Sequence, residues 1–481
     1  MNKYLKKTKI IATLGPASSD KETMVQLIQA GVDVFRINFS HADYDLVRNN
    51  VRIIREINKE FGFSVSILGD LQGPKLRVGV VREGSYLNPG DILTFTNEKI
   101  EGDSERVYMT YQQFPQDVNV GERILIDDGK LVLEVLETNR IDTVRAKTIQ
   151  GGPLSSKKGV NLPNTNVSLP ALTEKDIEDA NFMLDLELDW IALSFVRHAQ
   201  DIIDLKKIMS DHPTNKQKTP IIAKIEKPEG VKNIDEILME CDGLMVARGD
   251  LGVEVPMEQV PAIQKTLVEK ARNYSKPVII ATQMMETMIN SLTPTRAEVN
   301  DVANSVLDGA DAVMLSGETS VGRYPVEVVQ NMSKIVKNIE RTHFYQKKNS
   351  PVEHDFDCID DRFITNRVCL AAVRIAKTTN VEAIITLTHS GYTAFQISAH
   401  RPNSHIIVFS SNRRVITMLN LLWGVRAFYY DMEKSTDETI VQVNMLTHNY
   451  GFVEQGDFVI NLNATPAYEG GRTNTFRLTT I

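Results

Sequence analysis

Short apolar runs rich in isoleucine and valine recur between Ile10 and Leu315, each followed by a helical pattern. They predict strands at Ile10–Leu14, Val34–Ile37, Val65–Leu68, Trp190–Phe195, Ile221–Ile225, Gly243–Val246, Val278–Ala281 and Ala312–Leu315. The runs do not alternate apolar with polar, as expected for parallel strands covered on both faces. Helix starts carry capping-box spacing at Ser19-Asp20-Lys21-Glu22, Thr173-Glu174-Lys175-Asp176 and Thr295-Arg296-Ala297-Glu298. After the last of these, Val299, Val302, Ala303, Val306 and Leu307 form one apolar stripe, which reads as core. Eight βα repeats predict an α/β fold, the TIM-type (β/α)8 barrel.

The period breaks once, between the third and fourth strands. The insert, 72–169, carries short strand patterns at Ile92–Thr96, Arg123–Ile126, Leu131–Leu136 and Thr143–Thr148. Turn signals such as Asn88-Pro89-Gly90-Asp91 and Asp127-Asp128-Gly129-Lys130 separate them. This is the pattern of a small β-barrel-like domain placed as a lid. Gly73-Pro74 and Leu169-Pro170 at its junctions are the expected hinges. The barrel ends near Tyr345, and Gln346–Arg362 is polar, contains Pro351 and reads as a linker. Strands at Ala383–Leu387, Ile406–Phe409, Arg426–Tyr430, Phe458–Leu462 and Thr475–Leu478 then predict a C-terminal α/β domain. The expected division is 1–71 with 170–345 as catalytic barrel, 72–169 as lid and 346–481 as regulatory domain.

With 481 residues the chain is too long for one ordinary core, and 42% hydrophobic with 24% charged residues is a globular composition. A net charge of -8 argues against nucleic acid or an anionic membrane as partner, so an anionic substrate must meet a local cluster of cations. Cys241, Cys358 and Cys369 are far apart, odd in number and without metal spacing, which predicts reduced thiols in a cytoplasmic protein. The basic start, Met1 to Ile10, leads into an apolar stretch, Ile10-Ile11-Ala12, too short for a secretion signal. No apolar run approaches the ~20 residues of a membrane span.

In a TIM barrel the chemistry gathers at the C-terminal ends of the strands. Here strand two ends Arg36-Ile37-Asn38-Phe39-Ser40 and strand three ends in Asp70. Strand five runs into Lys224-Ile225-Glu226, strand six into Arg248-Gly249-Asp250, strand seven into Thr282-Gln283 and strand eight into Ser316-Gly317-Glu318. Alternate residues of a strand share a face, so Arg36, Asn38 and Ser40 line up, as do Lys224 and Glu226. One such residue alone is most simply a structural ion pair or a turn former; a ring of them is not. Carboxylates without a neighbouring His or Cys suit a hard, oxygen-ligated cation such as Mg²⁺. An arginine and a lysine beside them suit an anionic group in transfer, and charge neutralisation around an anion is what phosphoryl transfer needs.

Several of these segments are similar to motifs of the pyruvate kinase family: Arg36-Ile-Asn-Phe-Ser-His41, Gly73-Pro74, Lys157-Lys-Gly-Val-Asn-Leu-Pro163, Lys224-Ile-Glu226, Met245-Val-Ala-Arg-Gly-Asp-Leu-Gly252, Ala281-Thr-Gln-Met284, Pro294-Thr-Arg-Ala-Glu298, Asp301-Val-Ala-Asn304 and Met314-Leu-Ser-Gly-Glu-Thr319. The match runs in order through all three predicted domains. The resemblance implies Mg²⁺-dependent transfer of phosphate from phosphoenolpyruvate to ADP, giving pyruvate and ATP, with Mn²⁺ able to substitute. It implies that Glu226 and Asp250 hold the metal, and that Lys224 and Arg36 bind and stabilise the phosphoryl group. The N–H groups around Gly249 and Asp250 would receive the substrate carboxylate. Thr282 would flank the enolate carbon, while Asn38, Arg77 and Lys158 would contact nucleotide phosphates. Lys157 reads as a solvated neighbour. The resemblance also implies a homotetramer. Mg²⁺-dependent aldolases and mutases of the same ligand are the alternative enzymes, but they generally lack the large insert and the Lys224-x-Glu226 context. A non-catalytic ligand sensor is the other alternative, and it would be expected to have lost Arg36, Lys224 or a metal carboxylate.

Two departures from the family pattern carry expectations. Potassium-dependent members read Asp-Thr-Lys-Gly-Pro-Glu after strand three and bind K⁺ through residues matching Asn38, Ser40 and Asp70 and a backbone carbonyl. This chain reads Asp70-Leu71-Gln72-Gly73-Pro74-Lys75. Lys75 in place of glutamate is expected to replace the cation, leaving Asn38, Ser40, Asp70 and Leu71 as a vestigial site and K⁺ not required. In the C-terminal domain, Thr386, Thr388, Ser390, Gly391 and Thr393 form a hydroxyl-rich strand-to-helix turn suited to phosphate. The family's allosteric site lies there. The later loop, Tyr468-Glu-Gly-Gly-Arg472-Thr-Asn-Thr475, lacks the tryptophan of members that respond to fructose bisphosphate. A sugar monophosphate or AMP is the expected effector.

Overall fold

The computed structural model describes residues 5–163, 165–214, 218–342, 345, 362–431, 435–465 and 472–481. Three strands open the chain: β1 (Lys9–Thr13), β2 (Val34–Asn38) and β3 (Ser66–Asp70). Eight more follow in the insert: β4 (Tyr86–Leu87), β5 (Ile92–Thr96), β6 (Arg106–Tyr108), β7 (Arg123–Ile126), β8 (Leu131–Thr138), β9 (Thr143–Gln150), β10 (Gly152–Pro153) and β11 (Val160–Asn161). The first pattern then resumes as β12 (Trp190–Leu193), β13 (Ile221–Ile225), β14 (Gly243–Ala247), β15 (Val278–Ala281) and β16 (Ala312–Leu315).

Strands β1 to β3 and β12 to β16 pair in parallel as a closed barrel in the order β1-β16-β15-β14-β13-β12-β3-β2. Nearly every residue of these strands is buried, which is why their sequences do not alternate. β12 stops at Leu193 rather than at the expected Phe195. Phe195 takes φ 54° and leaves the ladder, its N–H donating to Glu226 Oε2 at 2.7 Å. The capping boxes of Thr173 with Asp176 and Thr295 with Glu298 are both closed. The first helix, Lys21–Ala30, is capped by Asp20 and not by Ser19, whose hydroxyl turns back to the Gly15 carbonyl. Val302 and Val306 are buried as expected, but Val299, in the first turn of Arg296–Asp308, is 37% exposed and lies off the core stripe.

The insert forms a six-stranded sheet, β11-β7-β8-β9-β5-β6, around its own core of Phe95, Phe114, Ile124, Leu133 and Val144. Its long strands do alternate buried with exposed residues, as a sheet with one wet face must. Strands β4, β6, β10 and β11 are two or three residues long, too short for periodicity to reveal.

The C-terminal sheet contains β17 (Ala383–Leu387), β18 (His405–Ser410), β19 (Val425–Tyr429), β20 (Phe458–Asn463) and β21 (Thr475–Thr480), in the order β19-β18-β17-β20-β21. All pairs are parallel except the last. Leu421, Met418 and Phe395 from this unit pack on the side chains that fill the barrel, including Trp190, whose Nε1–H donates to the Met418 carbonyl at 3.0 Å. The opposite, C-terminal end of the barrel faces the insert. A second tie is ionic: Asp33, at the start of β2, receives Lys6, Lys9 and Arg426, the last from β19. The expected linker Gln346–Arg362 lies outside the described residues except for Arg362, as do Cys358 and positions 466–471 of the C-terminal loop. Cys241 and Cys369 are buried free thiols. Among the described residues, no helix is long and apolar enough to cross a membrane.

Candidate active site

Strand register brings the predicted strand ends together. Arg36 and Asn38 on β2 pair with Leu68 and Asp70 on β3. Asp70 is 1% exposed and is the hub. Its Oδ2 accepts from Arg36 Nε at 2.7 Å and its Oδ1 from Lys224 Nζ at 3.0 Å. Arg36 also donates to Thr13 Oγ1, and Lys224 to Ser194 Oγ at 2.6 Å. Lys224 Nζ lies 3.2 Å from Glu226 Oε1, so one ammonium sits between two buried carboxylates. Burial alone would raise the Asp70 carboxyl, but Lys224 and Arg36 overcome it and hold it below its ordinary value. Burial likewise pulls Lys224 down, and Asp70 and Glu226 more than reverse this, keeping the ammonium above its usual range. Glu226 is pushed up, first by burial and further by Asp250, with Lys224 opposing. A carboxylate raised by burial and by a second carboxylate, beside fixed cations, is an electrostatic site that a further positive charge would stabilise.

Asp250 stands in the short helix Arg248–Glu254, which begins where β14 ends. Arg248 itself is an anchor. It grips Asp301 with two bonds of 2.6 Å and donates to the Thr282 carbonyl at 2.9 Å. The Gly249 N–H, expected to face a substrate carboxylate, donates instead to Thr282 Oγ1 at 2.7 Å. A Cβ on Gly249 would stand 3.2 Å from that oxygen, so glycine is what permits the close approach. Thr282 and Gln283 hold φ of 70° and 54°, a left-handed conformation that non-glycine residues adopt at a cost and that is frequent at functional sites.

Arg77 and Lys158 are neighbours on the lid, where the Val78 N–H donates to the Lys158 carbonyl. Arg77 donates to the Lys157 carbonyl, and Lys158 pairs with Asp127 at 3.0 Å. Neither contacts the Arg36–Asp70–Lys224–Glu226 group among the described residues. Asn38 is exposed and its Oδ1 accepts the Ser40 N–H, while the Leu71 carbonyl accepts from Ser194 Oγ at 2.7 Å. Lys75 is exposed and runs past Gly159 into the cleft between lid and barrel, which Asn161, Phe195, Lys227 and Asp250 also line. The cations that meet Asp70 are therefore Arg36 and Lys224. In the C-terminal unit, Thr388 Oγ1 accepts the Gly391 N–H, and Gly391, at φ 86°, opens the helix Tyr392–Ala399. Ser390 is exposed on this turn, whereas Thr386 and Thr393 are buried beneath it, Thr393 bonding Thr473 at 2.8 Å.

Sequence reasoning missed Thr13 and Ser194, which lie at the ends of β1 and β12, strands whose termini carry no charge. It also missed the role of Asp301, although that residue stands inside a recognised motif.

The barrel-domain model of the pyruvate kinase family matches residues 5–329, and its alpha/beta-domain model matches residues 366–479. The chain is 42% identical to pyruvate kinase 2 of Synechocystis over 99% of its own length and 79% of that protein. It is 41% identical to the pyruvate kinase of Mycobacterium intracellulare, covering 97% and 96% of the two chains. A crystal structure of a pyruvate kinase from Cryptosporidium parvum superposes with a TM-score of 0.91 at 35% identity, over 99% of this chain and 96% of that one. With its barrel, its inserted lid, its C-terminal α/β unit and its ring of charged strand ends, the chain belongs to the pyruvate kinase family.

Proposed function

We propose that the chain transfers the phosphoryl group of phosphoenolpyruvate to ADP in the presence of Mg²⁺, yielding pyruvate and ATP, as the last step of glycolysis. The observation that carries this reading is Lys224, held 3.0 Å from Asp70 and 3.2 Å from Glu226 at the mouth of the barrel. Glu226 and Asp250 fit a magnesium ion, because Mg²⁺ takes one or two carboxylates and leaves its other positions to substrate oxygens and water. Bound there, the ion supplies charge neutralisation for the carboxylate and phosphate of phosphoenolpyruvate. Arg36 and Lys224 are aimed by Asp70 and neutralise the phosphoryl oxygens as they pass from one oxygen to the other. Fixed cations in a low-dielectric site cost no reorganisation at that moment. Thr282, tied to Gly249 and to the Ala281 carbonyl, flanks the carbon that takes up a proton once phosphate has left. Asn38, Arg77 and Lys158 contact the nucleotide phosphates, the two lid residues arriving when the lid closes and water is excluded. Formation of pyruvate from phosphoenolpyruvate, measured with and without ADP, tests the proposal. Strict dependence on ADP supports it. Cleavage without ADP favours an aldolase or mutase, and no turnover favours a sensor.

The domain division 1–71 with 170–345, 72–169 and 346–481 belongs to this proposal, and separate hydrophobic cores in barrel and lid support it. Rigid-body lid motion on hinges at Gly73-Pro74 and Leu169-Pro170 follows from it. Independence from K⁺ through Lys75, a homotetrameric assembly and a cytoplasmic location are proposed alongside it on the family resemblance. The turn at Thr388, Ser390 and Gly391 is the proposed phosphate seat of a monophosphate effector, sugar monophosphate or AMP, with Thr386 and Thr393 supporting it from below. Strong, selective activation by fructose 1,6-bisphosphate contradicts the effector assignment.

A further inference from the structure

Glu254 lies one turn beyond Asp250 on the helix Arg248–Glu254 and is 4% exposed. Its Oε1 accepts from Lys227 Nζ at 2.6 Å and from Asn161 Nδ2 at 2.8 Å. Its Oε2 has no hydrogen-bond partner among the described residues. The two donors come from different parts of the molecule. Lys227 directly follows Glu226 in the loop after β13, and Asn161 belongs to β11 of the lid. One buried carboxylate therefore joins three things: the loop of Glu226, the helix of Asp250 and the lid.

As mere adhesive this arrangement is poor. A buried carboxylate with one oxygen unsatisfied is costly, and an apolar contact would bind the same surfaces without that penalty. The junctions of the lid are already held elsewhere. Asp176 accepts the Gly73 N–H at 3.0 Å where the chain leaves the barrel, and Arg197 donates to the carbonyls of Val167 and Leu169 where it returns. The Asn161–Glu254 bond is different, because it reaches from the lid sheet to the helix that carries Asp250. Both Asn161 and Lys227 line the cleft that Asp250 faces.

We infer that Asn161 and Glu254 are positioning residues: their hydrogen bond latches the lid to the Asp250 helix, while the Lys227–Glu254 pair keeps the Glu226 loop and that helix in fixed spacing. Neither residue needs to touch substrate. Lid closure and the assembly of the two carboxylates become one event, because Glu254 takes part in both. This rests on the proposed reaction for its kinetic consequence, but not for its structural one.

The test uses the full chain with Asn161→Asp, Glu254→Gln and the exchanged double variant. Asn161→Asp sets two carboxylates face to face, and Glu254→Gln removes the charge that Lys227 pairs with. The double variant restores a bond with donor and acceptor exchanged. Two readouts are taken: KM for ADP against kcat, and backbone hydrogen exchange over 157–163 and 248–254. Each single variant is expected to raise KM for ADP about tenfold, the scale of a hydrogen bond to a charged group, with a smaller change in kcat. Each is also expected to speed exchange in both segments, and the double variant to regain the part of both losses that the Asn161–Glu254 bond accounts for, the Lys227 pair staying broken. Singles that leave KM and exchange unchanged, or a double variant whose defects add, overturn the latch. If Glu254→Gln fails to fold, Asn161→Ala supplies the exchange measurement, and unchanged protection of 248–254 then overturns the inference. A protein that does not consume ADP would void the kinetic arm alone, since hydrogen exchange reports the latch without turnover.

Discussion

Replacing Lys224 with methionine keeps the side chain's length and removes its charge, which makes it the most informative single change at the site. The ammonium stands 3.0 Å from Asp70 and 3.2 Å from Glu226, both almost wholly buried. At an effective dielectric constant of about 20, each contact carries roughly 5 kcal/mol of gross attraction, much of it cancelled by the cost of burying the ammonium. Removing the lysine leaves Asp70 with Arg36 and leaves Glu226 facing Asp250 without a counter-charge. The expected net loss of stability is about 3 kcal/mol, the low end for breaking a buried pair. The expected loss in kcat is larger in consequence, about 10²- to 10³-fold, because a fixed cation at a charge in transfer is worth that much. Lys224→Arg separates the two effects. It restores charge to Asp70 and hence much of the stability, but its planar fork does not reproduce a point charge between two carboxylates and Ser194, so kcat stays low. Thermal unfolding and steady-state rates with phosphoenolpyruvate and ADP measure both. A Lys224→Met variant with kcat within about tenfold of the unmodified protein refutes the reasoning.

The unmodified protein is expected to work at near-full rate in buffer whose only monovalent cation is a bulky organic one. Lys75→Glu, with Leu71→Thr alongside if needed, should acquire a need for K⁺, because a positive charge near the cation site is replaced by a negative one; strong stimulation of the unmodified protein by K⁺ contradicts this. Thr282→Ala should slow exchange of pyruvate methyl protons with deuterated solvent by about 10²-fold or more, as loss of a group serving proton transfer does, and wild-type exchange removes Thr282 from that role. Asp33→Asn bears on acid stability. Burial would raise the Asp33 carboxyl, but Lys6, Lys9 and Arg426 bring it down to about 2. A depressed carboxyl stabilises fully above its unfolded value near 4 and loses that contribution as pH falls through 2, so the variant should lose about 2 kcal/mol at neutral pH and show a flatter melting profile between pH 4 and 2. Burial lowers Lys6 and Lys9 as well, but from an ordinary value far above that acid range, so the limb is assigned to Asp33.

The barrel was legible because its strands are buried on both faces, which forces continuous apolar runs that few other structures tolerate. The long lid strands were legible for the opposite reason, an alternation imposed by one wet face. What escaped was short or non-local. β11 is two residues long, yet it carries Asn161 to Glu254 across 93 positions of chain. At the site, Arg36, Lys224, Glu226 and Asp250 stood out as charge placed at strand ends. Asp70 was read as a strand end too, but its position between Arg36 and Lys224 follows from the β2–β3 register together with the closure of the barrel, which brings β13 within reach across β12. The bond from the Gly249 N–H to Thr282 was not legible, because it joins the ends of two strands that one sequence does not place side by side. Lys75 was placed by motif alone; its path past Gly159 depends on how the lid folds back over Phe195.

The central claim is that Arg36, Asp70, Lys224 and Glu226 form a phosphoryl-transfer centre acting between phosphoenolpyruvate and ADP. Phosphorus NMR of the full chain with both substrates and Mg²⁺ tests it most directly. The account predicts loss of the phosphoenolpyruvate resonance matched by growth of the ATP γ-phosphate resonance, with pyruvate formed in equal amount and no transfer in Lys224→Met on the same time scale. Inorganic phosphate in place of ATP, a phosphorus-bearing product other than ATP, or unaltered transfer in Lys224→Met would contradict it.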